Sequence, residues 1–236
     1  MKGILTNSDS GDGLTELLDR FRELRQVVAE RALAAGREPE EVRIVAVTKG
    51  VALHVVQAAH RLGVSDFGEN RVQEARLKVP QVAAATWHGI GRLQTNKASW
   101  AVRLFSWIHS VDREELVGPL ARAAAEYGCR PRVLVEVLTA ADGHKGGVVP
   151  QRLPWLLEAV GKSGPLELAG LMTVASRADP EACFARLKEL QQTWVAEYPG
   201  LRELSMGMSD DFGPAIRQGA TLIRIGRALF GPRDAN

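Results

Sequence analysis

Along the chain, short apolar runs rich in β-branched residues alternate with longer stretches whose apolar positions recur every three to four residues. The first periodic stretch opens near Asp12, which can serve as an N-cap. Leu14, Leu17, Leu18, Phe21, Leu24 and Val28 then fall on one face at the helical period, and Gly36 ends the pattern. Strand-like segments follow at residues 42–49, 64–70, 86–91, 106–112, 132–138, 166–174, 202–207 and 221–226. Helical patterns lie between them. Asp112 would cap one of these, with Glu114 and Glu115 in the first turn, where the positive end of the helix dipole favours acids. Asp179-Pro180 opens another, carrying Phe184, Leu187, Leu190 and Trp194 at helical spacing. Gly128 and Gly200 are natural helix stops.

Strands that alternate with helices imply right-handed crossovers and a parallel sheet covered on both faces. Eight such units in roughly 200 residues predict an α/β fold, a single (β/α)8 TIM barrel. The extra N-terminal helix would plug or flank its bottom. An open, doubly wound sheet is the alternative. No linker or repeat divides the sequence, so residues 1–11 read as a flexible lead and 12–236 as one barrel domain.

Composition narrows the classes of function. The 236 residues are 45% hydrophobic and 25% charged, an ordinary globular balance. A net charge of +2, from 30 basic and 28 acidic residues, argues against a strongly basic nucleic-acid binder. No apolar run approaches membrane-spanning length, and the N-terminus carries no hydrophobic signal core. The two cysteines, Cys129 and Cys183, suit a reducing compartment. A soluble cytoplasmic monomer is expected, with neither a nucleic acid nor a membrane as partner.

In such barrels the active face lies at the C-terminal ends of the strands. Strand one delivers Lys49 there, one of only seven lysines in the chain. A lysine against the barrel wall is partly desolvated and available as a nucleophile. The bland alternative is a side chain that merely snorkels into water. Phosphate sites in this fold are often built from the loops after strands seven and eight. Here these carry Gly207-Met208-Ser209-Asp210 and Ile225-Gly226-Arg227, residues that ordinary turn chemistry would also explain. Closure makes strand eight a neighbour of strand one, so a phosphate held after strand eight would lie beside Lys49. Pyridoxal 5′-phosphate (PLP), with a phosphate and an aldehyde on neighbouring ring positions, spans such a gap. Other motifs lead nowhere. GIGRLQ (89–94) has Gln where a dinucleotide fingerprint needs its third glycine. Histidines 54, 60, 88, 109 and 144 lack metal-ligand spacing.

AVTK (46–49), FGENRVQE (67–74), WHGIGRLQTNK (87–97), HSVD (109–112), GLMTV (170–174) and the long segment from Leu204 to Gly231 resemble the pyridoxal phosphate homeostasis proteins, whose barrel is similar to the N-terminal domain of alanine racemase. The resemblance implies that Lys49 carries PLP as a Schiff base. It implies that Ser209 and the backbone at Gly226-Arg227 hold the phosphate and that Arg224 faces the pyridine nitrogen. Asn70, Met206 and Met208 would line the pocket. The family has Asn after strand five and Glu three residues before a lysine. Leu138 and Asp142 stand there in this chain, so the resemblance assigns that loop and its Lys145 no role.

The resemblance also implies a cofactor carrier in intracellular PLP homeostasis rather than an enzyme, with free amino acids and PLP-dependent apo-enzymes as partners. Racemisation needs two acid/base groups flanking the ring. The only tyrosines, Tyr127 and Tyr198, fall at helix ends on the bottom face, and with five residues after Gly231 a β domain like that of alanine racemases is not expected. An arginine at the ring nitrogen keeps the pyridine neutral and a poor electron sink. The alternatives from another class are a PLP-dependent amino-acid racemase and a Schiff-base aldolase. Aldolases of this fold typically carry their lysine on strand six, which here reads LAGLMTV.

Overall fold

The computed structural model describes residues 11–140 and 146–232. The lead up to Ser10 and the strand-five loop residues Asp142, His144 and Lys145 therefore lie outside the described residues. Within them the chain runs α1 (Gly11–Ala34), β1 (Arg43–Val47), α2 (Leu53–Arg61), β2 (Asp66–Glu69), α3 (Val72–Lys78), β3 (Thr86–Gly89), α4 (Ala98–Leu104) and β4 (Trp107–Val111). It continues through α5 (Glu114–Glu126), β5 (Arg132–Glu136), α6 (Leu153–Gly161), β6 (Glu167–Met172), α7 (Pro180–Trp194), β7 (Glu203–Met208), α8 (Phe212–Arg217), β8 (Leu222–Ile225) and α9 (Arg227–Phe230). Every expected strand is present, and together they form a closed parallel barrel in sequence order. Val45 of β1 pairs with Arg224 of β8, and Ala46 with Ile225, so the first and last strands make the closing seam.

Most of the apolar core lies between the sheet and the surrounding helices, where Phe67, Ile108, Leu171, Leu204 and Ile223 face outward. A small second cluster, with Val45, Trp107, Leu134, Met172 and Leu222, fills the barrel axis. The guanidinium groups of Arg43 and Arg132 each lie 5.0 Å from the Trp107 ring centroid. Such contacts add a cation–π attraction to its burial.

Helix α1 buries Leu17, Phe21, Leu24 and Val28 as the periodicity requires, while Leu14 stays exposed. It does not close the bottom of the barrel. It packs along the wall against α8, α9 and α2, burying its single apolar stripe there. After it, Arg37 donates to the carbonyls of Ile216 and Ala220 at 3.1 and 2.8 Å, tying the start of the chain to the approach to β8.

Two expected caps divide in outcome. Asp179 Oδ1 accepts from the Ala182 N–H at 3.1 Å and starts α7. Asp112 does not cap α5: Arg113 is the capping residue, and the Asp112 carboxylate pairs with Arg113 and Arg92 instead. A guanidinium neighbour offers a stronger, charge-assisted partner than backbone N–H groups do. No described helix is long and apolar enough to cross a membrane.

Candidate functional site

A cavity of about 820 Å³ opens at the C-terminal mouth of the barrel, on the closing seam. Lys49, Asn70, Met208, Ser209, Arg224, Gly226 and Arg227 all line it, so residues far apart in sequence meet there. Met206 does not. Its side chain is fully buried in the core between sheet and helices, because successive strand residues point to opposite faces. A second cavity, of about 790 Å³, opens beside the first over β2, β3 and β4 and shares Asn70 with it.

Strand β1 ends at Val47, and Lys49 occupies the turn that follows, where it is exposed. The expected desolvation by the barrel wall is therefore not realised. The turn itself is held from both sides by a partly buried ion-pair cluster that sequence reasoning missed. Lys78 Nζ donates to Thr48 O at 2.7 Å and to Glu69 Oε1 at 2.6 Å. Thr48 Oγ1 donates to the same carboxylate oxygen at 2.7 Å. On the other side of Lys49, the Gly50 N–H donates to Glu74 Oε2 at 2.8 Å. Partial burial pushes the Glu74 pKa up, but that N–H and the Lys78 ammonium outweigh it and hold the carboxyl below its usual range.

The opposite rim is shaped by a bulge in β7. Ser205 pairs with Leu222 and Met208 with Arg224, so three steps on β7 face two on β8. Gly207 sits inside the bulge at φ +89°, a conformation that L side chains rarely adopt, and a Cβ there would lie 2.6 Å from the Ala215 Cβ. The bulge brings Met208 and Ser209 over the cavity. Ser209 Oγ accepts from the Ala228 N–H at 3.3 Å, which joins the loop after β7 to the start of α9 as one edge. Arg227 pairs with Asp210 across that edge.

Below the cavity a column of buried polar groups crosses the barrel interior. Arg224 donates through Nη1 to Ser205 Oγ at 2.8 Å and through Nη2 to the Thr173 carbonyl at 2.8 Å. Ser205 Oγ lies 2.8 Å from His109 Nδ1, and His109 Nε2 lies 2.9 Å from His88 Nδ1. His88 Nε2 lies 3.0 Å from Asp66 Oδ1. Burial lowers the pKa of both histidines, well below the ordinary value for His109, so both are neutral at pH 7. Burial pushes the Asp66 pKa up, but the bonds from His88 and Ser65 hold it below the usual carboxylate range. Burial also lowers Arg224 to about 10, leaving it cationic at neutral pH. Glu136, at the end of β5, is pushed up to about 7 by burial and by Asp112, against the pull of Arg224 and Arg92. The signal for this column was available in the sequence as polar residues at alternating strand positions where apolar ones were due. No described His, Cys, Asp or Glu residues form a metal-binding group.

The donor set fits a phosphorylated pyridine aldehyde: an amine, a hydroxyl with a helix start beside it, and a buried arginine, all on one cavity. Fold and site thus define a class, the closed (β/α)8 barrel with a lysine just past its first strand and an edge able to take an anion across the seam. The alanine racemase N-terminal domain family matches residues 17–234. Within that class the likeness is more specific. A Pseudomonas aeruginosa protein named pyridoxal phosphate homeostasis protein is 40% identical over 228 residues, 94% of this chain and 97% of its own. PipY of Synechococcus elongatus, solved with PLP bound, is 37% identical with a TM-score of 0.77, covering 86% of this chain and 100% of its own. The structure of an unknown protein from Bifidobacterium adolescentis gives a TM-score of 0.88 at 30% identity, covering 97% of this chain and 100% of its own. The chain belongs to the pyridoxal phosphate homeostasis protein family.

Proposed function

We propose that this chain binds PLP in the seam cavity and acts as a carrier in intracellular PLP homeostasis rather than as an enzyme. The observation that carries the reading is the convergence of Lys49, Ser209, Gly226 and Arg224 on one cavity where β1 meets β8. Lys49, placed by the Lys78–Glu69–Glu74 cluster, holds the cofactor aldehyde as a Schiff base, formed with loss of water. Ser209 and the backbone at Gly226-Arg227 take the phosphate, since hydroxyl and N–H donors around an anion make charge-assisted bonds. Arg224 faces the ring nitrogen and supplies no proton acceptor there. PLP supplies an electrophilic aldehyde and an electron-withdrawing ring, and a cationic partner at the nitrogen keeps that ring a weak electron sink.

The carrier reading rests on the lining. Among the described residues Lys49 is the amine lining this cavity, and neither tyrosine reaches it: Tyr127 caps the C-terminus of α5 and Tyr198 follows α7, both at the bottom of the barrel. Free amino acids and PLP-dependent apo-enzymes are the natural recipients. The setting is the cytoplasm, where the free thiols of Cys129 and Cys183 remain reduced. An absorption spectrum of the PLP-treated protein, followed by borohydride reduction and peptide mapping, tests the binding mode. The label is expected on Lys49. A principal label on Lys97 or Lys145, or none, would overturn it.

A further inference from the structure

The hydrogen-bond column beneath the cavity has only one direction in which every group is satisfied. The Asp66 carboxylate is acceptor-only, so His88 must present Nε2–H to it. His88 Nδ1 then carries a lone pair and accepts from His109 Nε2–H. His109 Nδ1 in turn accepts the Ser205 hydroxyl proton. That leaves the Ser205 oxygen with its lone pairs toward the Arg224 guanidinium, which donates to it at 2.8 Å. The reverse direction would set a bare ring nitrogen against the Asp66 carboxylate 3.0 Å away. A second bond, from Ser65 Oγ at 2.6 Å, occupies the other Asp66 oxygen. His88 is also stacked on Trp107, with centroids 5.6 Å apart, which limits ring rotation. The remaining bond from Arg224 goes to a main-chain carbonyl, so Ser205 is its side-chain anchor.

We propose that Asp66, His88, His109 and Ser205 form a positioning column for Arg224, polarised from the bottom of the barrel so that Ser205 presents an acceptor and the guanidinium is fixed toward the ring nitrogen of a bound pyridine. This rests on the PLP reading above. None of the four touches the cavity, so they act through Arg224. The phosphate end, built on Ser209 and α9, is independent of them.

Two measurements test the column, and they fail separately. In the untreated full-length protein, nitrogen-15 NMR of the imidazoles, assigned by single-histidine substitutions, should show His88 and His109 neutral with the proton on Nε2. His109 should not titrate between pH 6 and pH 8. A protonated ring, or a proton on Nδ1 of His109, would overturn the polarity whether or not PLP binds. For positioning, Ser205→Ala and His109→Leu should weaken PLP binding by about tenfold, the scale of one lost bond to a charged group. They should also shift the absorption band of the bound cofactor, while competition by inorganic phosphate stays unchanged. Ser205→Thr should restore both affinity and band. In an Arg224→Ala background, Ser205→Ala should cost nothing further, since both act through one group. Additive losses, or wild-type affinity in Ser205→Ala, would sink the positioning role and leave PLP binding standing. If the wild-type protein fails to bind PLP, the functional reading falls instead.

Discussion

The carboxyl of Glu136 is buried beside the mouth of the barrel and keeps its proton to about pH 7 rather than 4.5. The folded state therefore binds more protons than the unfolded chain between those values, and stability falls as pH rises through that window. Glu136→Gln removes the titration. Relative to wild type it should gain about 3 kcal/mol of unfolding free energy on going from pH 4 to pH 8, read from urea midpoints at each pH; a difference independent of pH refutes the assignment. Lys78 makes a contrasting case. It is 6% exposed and paired with Glu69. Lys78→Met leaves that carboxylate buried and unpaired, which should cost about 3–5 kcal/mol. Because Lys78 also holds the Thr48 carbonyl, the same variant should bind PLP more weakly than its stability loss alone explains, by titration under conditions where it is still folded. On the proposed function, Arg224 bears on reactivity. Free alanine should displace Lys49 from bound PLP, seen as a spectral shift, without exchange of its α-proton into deuterium oxide; exchange on the order of 1 per second or faster would mark an enzyme.

At the scale of elements, the β7 bulge brings Met208 and Ser209 to the cavity, and the proposed phosphate end depends on it. Gly207→Ala would place a methyl against Ala215 and Phe212 at a positive φ. It should destabilise the protein by about 2 kcal/mol or more and weaken competition by inorganic phosphate, which separates it from the Ser205 variants. The bulge also marks where the sequence stops being legible. Alternating apolar runs were enough to locate every strand, since a parallel sheet buried on both faces leaves that signature. The residues at strand ends were enough to single out Lys49, Ser209, Gly226 and Arg227, while Asn70 and Arg224 entered through the family resemblance. Met206 went astray because alternation sends it outward, whereas Met208, past the bulge, returns to the mouth. Lys49 proved exposed because β1 ends two residues earlier than its apolar run suggests. The histidines were weighed only as metal ligands. Their true partners, Asp66 and Ser205, lie on other strands, and only strand order brings them together. Asp112 turned to arginines that no local pattern announces.

For the whole molecule, ligand binding and folding are coupled through mass action. PLP at 100 times its dissociation constant should raise the unfolding free energy by about 2.7 kcal/mol, and the gain should shrink in Lys49→Ala without vanishing, because the phosphate contacts remain. Calorimetry across a PLP series checks this; a thermal midpoint indifferent to PLP would contradict it. The closing seam carries a consequence in time as well as in space. Lys49 follows the first strand, while Ser209 and Gly226 flank the last. The contact from Arg37 to Ala220, which draws those ends together, bridges 183 residues of chain. A ribosome adding 5–20 residues each second needs roughly 10–40 s to cover that span. Throughout that interval the lysine is already made while the residues proposed to hold the phosphate are not, so a half-synthesised chain has the amine without the proposed cradle. On the proposed function, capture of the reactive aldehyde is thereby reserved for finished molecules, and cofactor occupancy becomes a report that the barrel has shut.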